Sequence, residues 1–357
     1  MNDFPEDESL DHEPAHQHGT GPAGDSANLA PVPARTSADE QPIEFAPAEV
    51  TPVGPILPAP DPVFVSDAPP SFDPQLFQSF IQPPVRPPAR IPHFGHLSLL
   101  IPIGGIGFAC TGLILVLAMR FHLFGWSLSA QAAATNIQLI LASEAILYLI
   151  TFGISFVVFP LFWKEKFFTG LEWRAAVALH RFWPLAATAL GCAGLAALDE
   201  VLMPGPSNAP IEKMMRAPGA AWLMFAFGTT LAPFFEEMFF RGFLLPALCT
   251  AWDWTAEHFA QRPASPLDAN GHPQWSFSAM AVGSIVTSLP FALLHVDQQG
   301  HALGPFLLLI LVSLILCTVR LKTRSLAAST LVHATYNFII FSLALIGTGG
   351  FRHFDKM

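Results

Sequence analysis

The stretch Phe234-Phe235-Glu236-Glu237-Met238-Phe239-Phe240-Arg241-Gly242 puts two carboxylates and a guanidinium inside an otherwise apolar run, Ala221 to Leu248. That run is long enough to cross a bilayer, whose hydrocarbon core takes about 20 residues of helix. Each ionised side chain near mid-membrane costs roughly 2.5–3.5 kcal/mol on insertion scales, so three of them cost about 8–10 kcal/mol if left unpaired. Charge at that cost marks a functional site.

On an ideal helix successive residues turn by about 100°, so Glu237 and Arg241, four apart, lie on one face and can pair. Glu236 and Arg241, five apart, diverge by about 140°. Glu236 is therefore directed elsewhere, among Phe234, Phe235, Phe239 and Phe240 and without a positive neighbour, which suits a general base or acid. Glu237 with Arg241 reads as structural support. Two further pairs at helical spacing follow, Phe291 with His295 in LPFALLH and His333 with Asn337 in LVHATYN. Phe291 reads as packing that acts on His295 indirectly. Taken singly, each histidine is a hydrogen-bonded core residue and Asn337 a bridge between helices. Taken together, these residues can bind a metal through Glu and His, or activate water directly while Asn337 donates to an oxyanion.

Outward from this stretch, apolar runs of spanning length recur near residues 97–119, 137–163, 182–203, 277–295, 303–319 and 326–346. With Ala221–Leu248 they make seven, and tilt or a broken helix shifts the count to six or eight. The fold class is all-α polytopic membrane protein. Basic residues set the orientation: Arg86, Arg90, Lys164, Lys166, Arg174, Arg181, Arg262, Arg320, Lys322 and Arg324 fall on one side, against Arg120, Lys213, Arg216, Arg352 and Lys356 on the other. This predicts a cytoplasmic N-terminus and an outer C-terminus. The segment KEKFFTGLEWRAAVALHRF, residues 164–182, reads as an interfacial helix that anchors and connects.

Residues 1–96 hold 20 of the 34 prolines and 14 of the 27 acidic residues against three arginines, a net charge of −11. The rest of the chain, with 14 basic and 13 acidic residues, is near neutral, so the overall −10 implies neither a nucleic-acid partner nor an acidic substrate. Such a tail buries too little apolar surface to offset chain entropy and reads as disordered. Its segment Pro83–Pro92 is a candidate polyproline arm for a docking partner. The start lacks the basic residues and apolar stretch of a signal peptide. Cys110, Cys192, Cys249 and Cys317 sit in or beside apolar runs without a C-x-x-C pair and read as small buried hydrophobes. The chain thus divides into a tail over 1–96, a first span and connector over 97–136, and a helical core over 137–350.

E-E-x-x-x-R at Glu236–Arg241, F-x-x-x-H at Phe291–His295 and H-x-x-x-N at His333–Asn337, in that order on successive spans, resemble the three motifs of the CAAX protease and bacteriocin-processing (CPBP, or Abi) family. FFTGLEWR before the third span and VRLKTRSLAAS before the last motif extend the resemblance over roughly residues 140–345. It implies a glutamate-dependent intramembrane endopeptidase of the type II CAAX prenyl kind, acting on a peptide or lipidated protein in the bilayer. Glu236 would activate water with His295, while His333 and Asn337 would stabilise the oxyanion. In a metalloprotease version, zinc or another divalent metal would be held by Glu236, His295 and His333. The H-E-x-x-H zinc signature is absent. The chain reads as bacterial and its location as the inner membrane.

Two other readings compete. A proton-coupled transporter would use the same intramembrane Glu, His and Arg, but it predicts two similar halves, and no such repeat is visible. A catalytically silent scaffold or bacteriocin-immunity protein would be free to lose Glu236 or His295, and both are present. One expectation conflicts with joint action. Counting 1.5 Å per residue from the assumed span starts puts His333 about 12 Å from the inner surface and His295 about 27 Å from it, a gap that Pro290, tilt or a fifth span beginning in water would close.

Overall fold

The computed structural model describes residues 91–123, 136–206, 209–217, 219–266 and 274–352. The chain divides into two units, Met1–Pro74 and Gln75–Met357, and every described residue belongs to the second. The expected tail with its docking arm lies outside the described residues, apart from its last six, as do residues 124–135 of the connector.

Every regular element among the described residues is helical: α1 Phe94–Arg120, α2 Ile137–Trp163, α3 Phe167–Gly170, α4 Ala175–His180, α5 Phe182–Leu202, α6 Pro210–Met215, α7 Ala220–Thr229, α8 Leu231–Glu237, a π-helical stretch Met238–Leu244, α9 Leu245–Phe259, α10 Phe277–Leu293, α11 Leu303–Thr323 and α12 Leu326–Gly347. Five of these, α1, α2, α5, α11 and α12, are long and apolar enough to cross a membrane, and α10 is a shorter apolar helix. Their outer faces carry large apolar side chains in the open. Ile101 and Trp183 are 75 % and 79 % exposed, the pattern of helices whose solvent is lipid.

The run Ala221–Leu248 differs from the single helix expected. It breaks at Thr230, whose φ of −126° and ψ of −75° leave the helical region, and widens into π geometry just after Glu237. Single π turns of this kind concentrate at functional sites. The segment 164–182 also differs. It folds as the two short helices α3 and α4, and Phe167 and Leu171 turn inward, packing with Phe159, Trp163 and Phe243 in the core between α1, α2 and the π stretch. A second core joins α4, α5, α11 and α12 around Leu185, Cys192, Leu316 and Val332, and a third joins α9, α10 and α11 around Leu245, Cys249 and Cys317. Cys192, Cys249 and Cys317 are buried as read, whereas Cys110 on α1 is only partly so.

Two joints set the levels of the helices. At the first, Ser276 caps α10 by accepting from Ala279 N, and its own N–H and hydroxyl donate to Asp253 of α9. Gly283 lets the two helices close, since a Cβ there would stand 2.7 Å from Cys249 Sγ. At the second joint, Glu172 before α4 takes Arg174, Arg320 and Arg324 at 3.2, 2.8 and 3.4 Å, and its carbonyl accepts from Leu326 N, the first residue of α12.

Candidate active site

Seven of the residues singled out in the sequence lie on four neighbouring elements: Glu236 and Glu237 end α8, Arg241 is in the π stretch, Phe291 is on α10 with His295 just past its end, and His333 and Asn337 are on α12. Glu237 and Arg241 are wholly buried and paired, Arg241 Nη1 donating to Glu237 Oε1 at 2.9 Å. The same guanidinium donates from Nη2 to Ser313 Oγ at 2.7 Å and to its carbonyl at 3.2 Å, tying the π stretch to α11. It also lies 4.5 Å from the centroid of the Phe291 ring, a cation–π contact that holds α10.

Glu236 turns away from this pair. Its Oε2 stands 4.0 Å from His295 Nε2 and 3.8 Å from His333 Nε2. Both imidazoles are held by their other nitrogen. His295 Nδ1 donates to the Phe291 carbonyl at 2.8 Å, and His333 Nδ1 contacts Glu237 Oε1 at 3.1 Å. A carbonyl can only accept, so the proton of neutral His295 is on Nδ1 and its Nε2 lone pair faces Glu236. The carboxylate on His333 Nδ1 sets the same tautomer when that ring is neutral. Adjacent glutamates thus do different things. Glu237 orients an imidazole, and Glu236 faces two of them.

The 15 Å difference in depth expected between His295 and His333 is absent, because the start of α10 is not at the level where α12 starts. From Ser276 to His295 is nineteen residues and from Asp253 back to Glu236 is seventeen. Antiparallel helices pinned at Asp253 and Ser276 therefore bring Glu236 and His295 to one level, about 25–28 Å from the pin. Asn337 lies one turn beyond His333, and its amide donates to the Gly228 carbonyl at 2.7 Å, on the last turn of α7 before the Thr230 break. It joins α12 to α7 and keeps one amide hydrogen for another acceptor.

The sequence reading missed Glu144 and Tyr148. Both are on α2, the Tyr148 hydroxyl donating to Glu144 Oε1 at 2.8 Å. The Tyr148 ring packs 4.9 Å from Phe235, and Glu144 is within electrostatic range of Glu236 and His295. The signal that could have found them was a carboxylate and a phenol four residues apart in an apolar span.

Two imidazole Nε2 atoms and a carboxylate oxygen, with Nδ1 of each ring committed to a carbonyl or carboxylate, make a donor set that fits a divalent ion in kind. The spacing is wider than that between neighbouring ligands of a tetrahedral ion, and no cluster of three His, Cys, Asp or Glu meets metal-site geometry among the described residues.

Residues 218–339 match the family model described as Type II CAAX prenyl endopeptidase Rce1-like. Over this segment the chain is similar to the type II CAAX prenyl endopeptidases. The segment contains all three motifs, from Glu236 to Asn337, as well as the Asp253–Ser276 joint, whereas α1 and α2 lie outside it. No curated protein and no solved structure matches the chain.

Proposed function

We propose that the protein is an intramembrane endopeptidase that hydrolyses a peptide bond of a membrane-associated, CAAX-like substrate. The observation that carries this reading is the convergence of His295 Nε2 and His333 Nε2 on Glu236 Oε2 at 4.0 and 3.8 Å. These gaps are too long for direct hydrogen bonds and suit one bridging water. Glu236 takes a proton from that water, His295 holds the water's orientation, and the hydroxide adds to the scissile carbonyl carbon. His333, as the imidazolium held at Nδ1 by Glu237, and the second amide hydrogen of Asn337 donate to the oxyanion. Glu236 then returns its proton to the leaving nitrogen as the C–N bond breaks. If a divalent metal such as zinc takes part, Glu236, His295 and His333 would hold it, and it would supply Lewis-acid polarisation of water and carbonyl.

The finer setting belongs to the same proposal: a bacterial inner membrane, an N-terminal tail on the cytoplasmic side with a docking role for Pro83–Pro92, and the division of the chain at residues 96 and 136. The opposed orientations of Glu236 and Glu237 favour a hydrolase over a silent scaffold, for which nothing requires a second carboxylate turned toward two imidazoles.

The test is cleavage of a quenched-fluorescence farnesylated CAAX peptide by the detergent-purified chain beside Glu236→Ala, each with and without phenanthroline. Cleavage by the parent that vanishes in Glu236→Ala supports the reading, and the chelator lane separates metal-assisted from metal-free water activation. Equal rates in parent and variant would sink the role of Glu236.

A further inference from the structure

The break at Thr230 uncouples two parts of the site. Asn337 is anchored through the Gly228 carbonyl on α7, whereas Glu236 rides on α8, and these two short helices are not one continuous rod. Pro233 has no N–H for the Thr229 carbonyl, so the helical ladder cannot bridge the break at that point. The separation of Asn337 from Glu236 therefore depends on contacts made from outside the pair of helices.

Tyr148 on α2 is placed to make them. Its ring stacks on Phe227, the neighbour of Gly228, with 6.0 Å between centroids and 15° between planes, and it lies 4.9 Å from the ring of Phe235, the neighbour of Glu236. One side chain thus meets a ring from each side of the break. Phe152, a turn further along α2, meets Phe234 and Phe235 of α8 and no ring of α7 among the described residues.

Packing alone does not hold the Tyr148 ring. It borders a cavity of about 450 Å³, which it lines together with Leu100, Phe239 and Glu236, and a ring beside open space can tilt. Its hydroxyl removes that freedom by donating to Glu144 Oε1 at 2.8 Å, one turn toward the start of α2, the direction in which a long helical side chain leans. Glu144 has no other hydrogen bond among the described residues. A carboxylate in a spanning helix is costly and calls for a role, and fixing the phenol supplies one.

We propose that Tyr148, with its hydroxyl fixed by Glu144, is a positioning residue that braces α7 against α8 and so sets the separation of Asn337 and Glu236. It acts through Phe227 and Phe235 and takes no part in proton transfer. The proposal rests on the endopeptidase reading and adds to it a determinant of turnover on a helix outside residues 218–339.

The experiment compares Tyr148→Phe, Glu144→Leu, Glu144→Gln and the double variant Tyr148→Phe with Glu144→Leu in the full chain, by cleavage of the quenched-fluorescence farnesylated CAAX peptide and by amide hydrogen exchange. The double variant replaces both polar partners with apolar groups, so it folds whatever the single variants do. Tyr148→Phe and Glu144→Leu should each lower kcat about tenfold at unchanged KM, as misplacement of catalytic groups does. The double variant should lose no more than either alone. Glu144→Gln, whose carboxamide oxygen still accepts, should recover most of the turnover lost in Glu144→Leu. In Tyr148→Phe, exchange should rise about fivefold over residues 227–237, the scale of one net hydrogen bond, and stay unchanged in α11. Losses that add in the double variant, a raised KM in place of a lowered kcat, or unchanged exchange over residues 227–237 would overturn the brace. If the parent chain cleaves nothing, a rise in exchange confined to those residues keeps the brace and sinks the endopeptidase reading, and no rise sinks both.

Discussion

Glu237 carries a buried ion pair and an imidazole at once, since Arg241 and His333 both meet its Oε1, at 2.9 and 3.1 Å. Glu237→Ala leaves Arg241 buried, with its hydrogen bonds to Ser313 but without its carboxylate, and breaking a buried pair on one side costs about 3–5 kcal/mol. The expected outcome is a lower unfolding midpoint in a denaturant titration of the detergent-solubilised protein, and an unchanged midpoint would contradict the ion pair's role. Glu236→Gln should behave in the opposite way. It keeps the shape of the side chain, leaves the midpoint within about 0.5 kcal/mol of the parent because no close ion pair is lost, and abolishes turnover. Much of this was legible. The four-residue spacing of Glu237 and Arg241 gave their pairing, and the five-residue spacing gave the divergence of Glu236. The hold of Glu237 on His333 was not, because 96 residues separate them and nothing in either motif fixes the distance between α8 and α12.

At the scale of elements, the α9–α10 joint decides whether His295 reaches Glu236. Gly283→Ala places a methyl 2.7 Å from Cys249 Sγ, a contact that only movement relieves. Overpacking of this kind costs about 1–3 kcal/mol, and by separating α10 from α9 it should also lower turnover at unchanged expression. Adding Cys249→Ala removes the obstructing sulfur, so the double variant should recover both turnover and midpoint, and failure to recover would show that Gly283 is needed for another reason. Long spans were readable to within a few residues, as with α2 at Ile137–Trp163, because unbroken hydropathy marks them. The break at Thr230 had a signal in Pro233, whose ring nitrogen cannot donate to the carbonyl four residues back at Thr229, whereas the π stretch Met238–Leu244 contains no proline or paired glycines and was hidden. The levels of the histidines were misjudged for a different reason. A span's first apolar residue was equated with the membrane surface, whereas Asp253 and Ser276 fix the start of α10 by hydrogen bonds that hydropathy does not report.

Across the whole molecule, Glu172 gathers three arginines from two parts of the chain, Arg174 before α4 and Arg320 and Arg324 around the α11–α12 turn. The distribution of basic residues had placed these segments on one side of the membrane, and the structure joins them at a single carboxylate. Arg320 is buried there, while Glu172 keeps partial access to water, so Glu172→Ala is expected to cost about 1–3 kcal/mol after allowance for screening. High salt should reproduce only part of that loss, and a midpoint insensitive to both the substitution and salt would show that the cluster contributes nothing to stability.

Helix α10 has seventeen residues, about 25 Å of rise, against roughly 30 Å of hydrocarbon, and His295 lies immediately beyond its end. A bilayer that meets so short a helix thins toward it. Lipid acyl length thereby becomes a variable of the chemistry. In vesicles of lengthening phosphatidylcholine chains, at fixed protein and peptide, turnover should fall as the film thickens, because the compressed lipid around α10 shortens the path by which water reaches Glu236.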